Sequence, residues 1–162
     1  VACVLDGDTV DLDGCGDDAS ERVRFLATAA PEIEHAGSPA ECYGDESREF
    51  LESIALNREV EVLYDVECTD IYDRTLAWLV LEVDFDDEIV PILEDLGDFG
   101  LNEEETGYRV LLNTLMIRAG YAEEYDGVGS GDAERFQGEA ALAEDQAQAE
   151  ARGMWSPDAC GR

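Results

Sequence analysis

Five positions in this chain carry side chains whose types and spacing suit chemistry on a phosphate. Asp6 and Asp8 flank Gly7, and two carboxylates beside a flexible glycine suit a hard cation that takes oxygen ligands. Arg24 lies inside an otherwise apolar run, and Arg74 stands where another such run begins. An arginine in a strand is often an apolar stem with a solvated head. Two of them near carboxylates can instead grip a phosphate through paired hydrogen bonds. Glu32 follows Pro31, whose ring fixes the local backbone and aims the next side chain. Taken singly, each acid reads more simply as a solvated surface group, because 41 residues are Asp or Glu.

The elements that must hold these groups follow from periodicity. Val1–Leu5 and Thr9–Leu12 read as strands broken at Gly7, and Arg22–Thr28 as a third. The stretch 13–18 is a turn; its aspartates suggest a calcium loop but lack the closing glutamate of an EF-hand. Residues 30–42, with two prolines, read as a surface loop. Asp45–Asn57 places Phe50, Leu51, Ile54 and Ala55 at helical spacing. Glu59–Val66 and Tyr72–Val83 read as strands. Residues 84–105 form an acidic segment with one apolar cluster at Ile89–Leu93. Tyr108–Ala119 and Ala133–Arg152 read as helices, the second stopped by Gly153. Three strands, a helix, two strands and two helices fit a small barrel flanked by helices, since short antiparallel strands need closure to hide their edges.

The length of 162 residues suits one domain with one core. The charge is unusual: ten basic residues, all arginine, give a net charge of −31. Such acidity can signal disorder, but well-patterned apolar segments argue for a folded domain with a lysine-free acidic surface, suited to molar salt. At about 1 M salt the screening length falls to roughly 3 Å and removes most surface repulsion. An acidic partner-binding domain or a nucleic-acid mimic is the alternative. No stretch is long and apolar enough to span a membrane. The five cysteines, Cys3, Cys15, Cys42, Cys68 and Cys160, form no CxxC pair, which argues against structural zinc. One or two disulfides are expected, Cys42–Cys160 among them, and with them a secreted or cell-surface location.

Five segments, in order, resemble the staphylococcal nuclease (thermonuclease) family. They are Asp6-Gly7-Asp8-Thr9-Val10, Arg24-Phe25-Leu26 with Ala29-Ala30-Pro31-Glu32, Thr69 to Ala77 around Tyr72-Asp73-Arg74, Asn113 through Ala122, and Gly153-Met154-Trp155-Ser156. Cys42-Tyr43-Gly44 sits where the family often has a Tyr-Gly step. The resemblance implies an α+β fold, a five-stranded OB-fold barrel flanked by about three helices, as one domain over the whole chain with an acidic insertion near 84–106. It implies a nuclease acting on DNA or RNA, leaving 3′-phosphate ends, as a monomer. Asp8 would ligate calcium or another divalent cation, with Asp6 close by and Ala30 offering a backbone carbonyl. Glu32 would be the general base, and Arg24 and Arg74 would hold the phosphodiester. Tyr72 would sit near the nucleotide, while Tyr121 and Tyr125 have two roles open to them, approaching a nucleotide base or packing against the fold.

Three departures stand out. The family's second metal carboxylate falls at Ala29, the glycine before the third motif's arginine is Asp73, and its basic loop residues fall on Gly37, Ser38 and Ile71. Loss of a ligand leaves a non-catalytic OB-fold module that binds nucleic acid or protein as the rival reading. The lone histidine, His35, reads as a surface loop residue, and Trp78 and Trp155 as core aromatics.

Overall fold

The computed structural model describes residues 1–35, 37–97, 106–126 and 135–160. Its strands are β1 (Cys3–Val4), β2 (Thr9–Asp11), β3 (Arg22–Phe25), β4 (Thr28–Ala29), β5 (Glu61–Leu63), β6 (Thr75–Asp84), β7 (Gly107–Leu111) and β8 (Glu123–Glu124). Its α-helices are α1 (Gly44–Ala55), α2 (Val90–Leu96), α3 (Leu112–Arg118) and α4 (Gln137–Ala149). The main sheet runs β1-β2-β3-β6-β5, with β7 added on β6. That five-strand path, curled and flanked by helices, is the α+β barrel-like architecture the sequence predicts.

β6 is the spine of the sheet. Its residues from Leu76 to Leu81 are all buried, and this unbroken apolar run is covered on both faces. β3 pairs with it in parallel from Val23↔Thr75 to Phe25↔Ala77, while β5 and β7 pair antiparallel on opposite edges. β3 leaves that edge before β7 joins it, and Asn113 fills the gap. Its side-chain oxygen accepts the Leu79 N–H at 3.0 Å, and its amide nitrogen donates to the carbonyls of Leu26 (3.0 Å) and Ala77 (3.2 Å). A buried backbone group without a partner is costly, so this one side chain ties α3 to both strands.

Three sequence expectations change. Tyr108–Ala119 is not one helix: Gly107–Leu111 is a strand. The open edge of β6 offers ladder bonds there, and tertiary pairing overrides the helical spacing. Arg22–Thr28 is not one strand either, because the chain turns at Ala27, whose φ is 52°, before β4 begins. The acidic segment holds a helix, α2, with Pro91 in its first turn; residues 98–105 of that expected insertion lie outside the described residues. So do residues 133 and 134 of the last expected helix, which begins at Gln137.

α4 buries only alanines, at positions 140, 143 and 147. Small side chains at helical spacing let it lie close against α3. Two disulfides close the chain on itself: Cys3–Cys15 within the first hairpin, and Cys42–Cys160 between the loop before α1 and the C-terminal tail. Cys68 is a free, exposed thiol. Trp78 is fully buried, as expected. Among the described residues no helix is long and apolar enough to cross a membrane.

Candidate active site

The first hairpin and β3 set the acidic floor of a cleft. The turn 5–9 is closed by the Leu5 and Asp6 N–H groups donating to the Thr9 carbonyl. Gly7 sits at its tip because nothing larger fits: a Cβ there would lie 2.6 Å from the Ala30 Cβ and 2.7 Å from the Ser47 Cβ. The glycine between the two aspartates is therefore a packing requirement, locking the turn against the loop after β4 and against α1. Asp8, beyond it, is buried. Its Oδ2 accepts the Ala30 N–H at 2.7 Å and pairs with Arg24 Nη1 at 2.6 Å, while Oδ1 accepts the Thr9 hydroxyl at 3.0 Å. Burial and the facing Asp6 carboxylate push the Asp8 carboxyl up to about 8, against the pull of Arg24.

Arg24 is placed by register. In the sheet it lies between Thr9 of β2 and Leu76 of β6, one residue along from Asp8. Its Nη1 is spent on Asp8 and on the Thr28 carbonyl at 2.7 Å. Among the described residues, Nε and Nη2 have no partner. Arg74 shows the same arrangement. Asp70 accepts its backbone N–H at 3.0 Å through Oδ1 and its Nε at 2.6 Å through Oδ2. The terminal nitrogens of Arg74 have no partner among the described residues. Each arginine is thus anchored by a carboxylate and keeps donors available for a third group.

Both arginines face one cavity of about 380 Å³, lined by Asp6, Asp8, Arg24, Ala29, Glu32, Asp70, Ile71, Tyr72, Arg74 and Tyr125. The sequence candidates Asp6, Asp8, Arg24, Glu32, Arg74, Tyr72 and Tyr125 therefore converge. Glu32 is exposed to solvent at the cavity wall. Tyr72 is 73% and Ile71 87% exposed, and the Tyr72 ring lies 5.5 Å from the Arg74 guanidinium carbon, a cation–π distance.

Two candidates stand differently. Tyr121 is not on the cavity wall; it stacks on Phe50 with ring centroids 4.2 Å apart and leans on Tyr43 at 5.5 Å. Of the two roles the sequence left open to it, packing is the one the structure shows, against Phe50 of α1. Ala30 contributes its backbone N–H to Asp8. Asp70 is the group the sequence reading passed over as a site residue. Its signal was the interval of four to Arg74, masked by the abundance of acids around it.

The donor set admits a hard cation, but sparsely. Asp6 and Asp8 repel each other at close range, which a divalent cation between them would relieve. Ala29 supplies no carboxylate. Among the described residues no three His, Cys, Asp or Glu side chains converge in a ready-made metal cluster. A calcium ion, which takes six to eight oxygens, would need water for most of them.

Comparison with known proteins agrees with this geometry. Residues 22–157 match the family model of staphylococcal nuclease homologues. The chain is 38% identical over 78 residues to a thermonuclease of Staphylococcus intermedius, covering 48% of this chain and 45% of that protein. Against a thermonuclease of Staphylococcus hyicus it is 33% identical over the same length, again 48% and 45%. It is 42% identical over 60 residues to the "Probable endonuclease lcl3" of Aspergillus flavus, covering 37% of this chain and 21% of that one. The aligned stretches thus span less than half of each of these relatives. With the family match running from β3 to beyond α4 and the two anchored arginines in one cleft, the chain belongs to the family of staphylococcal nuclease homologues.

Proposed function

We propose that this chain is a nuclease that hydrolyses phosphodiester bonds of DNA or RNA, leaving 3′-phosphate ends, with a divalent cation, calcium first, and in high salt. The observation that carries the reading is the pair of half-anchored arginines facing one cavity with an exposed glutamate. Aspartates fix Arg24 and Arg74 in place, so the free nitrogens meet a phosphate without first being ordered. Those donors neutralise the charge that gathers on the phosphoryl oxygens as phosphorus becomes five-coordinate. Glu32 takes the proton of the attacking water. The water oxygen bonds to phosphorus, the bond to the 5′ oxygen breaks, and that oxygen takes a proton from solvent. Asp6 and Asp8 would hold the cation, whose contribution when bound is Lewis-acid polarisation of a phosphoryl oxygen.

Salt adaptation is supported by how the positive charge is spent. Arg22, Arg24, Arg48, Arg58, Arg74, Arg109, Arg118 and Arg152 are all in ion pairs. A polyanion therefore meets an acidic surface with little free basic charge, and screening must admit it. The two stapling disulfides favour a secreted or cell-surface setting.

A second reading is a non-catalytic binding module, and Ala29 is the observation in its favour. Cleavage of single-stranded DNA in about 2–3 M salt, well past the roughly 1 M where screening is short, separates the two. Calcium-dependent cleavage abolished by Glu32→Gln supports the nuclease. No cleavage, with DNA still bound, supports the module.

A further inference from the structure

We infer that Glu41 is a positioning residue for Glu32, the hinge on which delivery of the base depends; this rests on the nuclease reading above. The loop between β4 and α1 leaves the sheet at Ala29 and returns at Gly44, and it closes at its base through one residue pair. The Glu41 N–H donates to the Glu32 carbonyl at 2.9 Å. In return the Glu41 carboxylate accepts the Glu32 N–H at 3.1 Å through Oε2. Both backbone polar groups of Glu32 are thereby satisfied by one partner nine positions along.

The residues after Glu41 complete a mould for Glu32. The Gly44 N–H donates to the Glu41 carbonyl at 3.1 Å. Gly44 itself passes so close that a Cβ there would lie 2.3 Å from the Glu32 carbonyl oxygen and 2.8 Å from its carbon. Tyr43, with φ at 77°, turns the chain into α1 between them. Cys42, beside Glu41, is bonded to Cys160, so the mould is fastened to the C-terminal tail. Glu41 and Cys160 line a cavity of about 500 Å³ that shares Ala29 with the cleft, placing this support directly behind the site.

Glu32 is solvent-exposed, and an exposed side chain has no packing to fix its direction. Its aim rests on its backbone, which Pro31 constrains from one side and Glu41 from the other. Small misplacements of a reacting group can cost on the order of a hundredfold in rate. The Glu41 side chain faces the backbone of Glu32, and it acts through Glu32 without touching substrate.

The test is Glu41→Ala beside Glu41→Gln, each with and without Glu32→Gln, read as kcat, KM, melting temperature and amide exchange at Glu32. Glu41→Ala is expected to lower kcat about 10- to 100-fold, leave KM within about twofold, and speed exchange of the Glu32 N–H. Glu41→Gln keeps an oxygen acceptor at the same reach and is expected to recover most of the rate. In the Glu32→Gln background Glu41→Ala is expected to add nothing. A wild-type kcat in Glu41→Ala, a loss confined to KM, unchanged exchange at Glu32, or a Gln variant no better than Ala would overturn the assignment while leaving the nuclease standing. A wild type that cleaves nothing would instead sink the nuclease reading, and with it any part for Glu41 in a reaction.

Discussion

Asp70 holds Arg74 at two points at once, the backbone N–H at 3.0 Å and Nε at 2.6 Å. One carboxylate thus sets both where the chain turns and where the guanidinium points. Burial alone would push the Asp70 carboxyl up. The Arg74 and Tyr72 backbone N–H groups and the Arg74 side chain outweigh it and hold the carboxyl below its ordinary range. A carboxyl lowered in the folded state stabilises above its unfolded value, near pH 4, and that contribution is lost as pH falls through the folded value. Asp70→Asn is expected to lower kcat at least about tenfold and to cost about 1–3 kcal/mol at neutral pH. The stability gap to wild type should shrink below about pH 4, read by urea unfolding across pH; a gap that widens on acidification would contradict this account.

Asp73 sits in the left-handed region with φ at 66°, where glycine costs nothing. It also adds a negative charge beside Arg74, the arginine proposed above to grip phosphate. Asp73→Gly is expected to be neutral or to stabilise by up to about 1 kcal/mol, since relief of the backbone offsets the looser unfolded chain. It should also tighten binding of a nucleotide 3′,5′-bisphosphate. Calorimetric titration with that ligand checks the second point, and weaker binding would count against the charge argument.

The main architecture was legible in the sequence because β6 and α1 carry unambiguous patterns, from Leu76 to Leu81 and from Leu51 to Ala55. The region from Tyr108 to Leu111 was not, since Val110 and Leu111 fit either period and only the free edge of β6 decides between them. In the site, glycine, proline and strand boundaries made Asp8, Arg24, Glu32 and Arg74 candidates, and the resemblance of five ordered segments to a known family is what singled them out. Asp70 and Glu41 were not, because in so acidic a chain a carboxylate that grips a backbone N–H looks like any surface acid. Tyr121 stayed open between two roles, because an aromatic near a motif is as easily claimed by Phe50 as by a base.

Asn113 ties α3 to β6 and to the end of β3 through Leu79, Ala77 and Leu26. Asn113→Leu would leave the buried Leu79 N–H without its partner, at about 1–3 kcal/mol, while the carbonyls of Leu26 and Ala77 would each lose one donor and keep another, the Thr28 hydroxyl and the Leu26 N–H. A loss of about 1–3 kcal/mol is expected, measured by urea unfolding. A loss under about 1 kcal/mol, the scale of an ordinary surface change, would mean that the strands re-pair without it.

Ala29 would leave the proposed cation with few protein ligands, and Ala29→Asp puts a carboxylate on the cavity wall that Asp8 also lines. Calcium affinity, measured by calorimetry, is expected to rise at least about 10- to 100-fold, the scale of even indirect changes at metal sites. The same change should raise the melting temperature in calcium more than in chelator, because a ion that binds only the folded state stabilises it. Equal calcium affinity in both proteins would place the cation elsewhere, and the reading of Asp6 and Asp8 as its holders would fall.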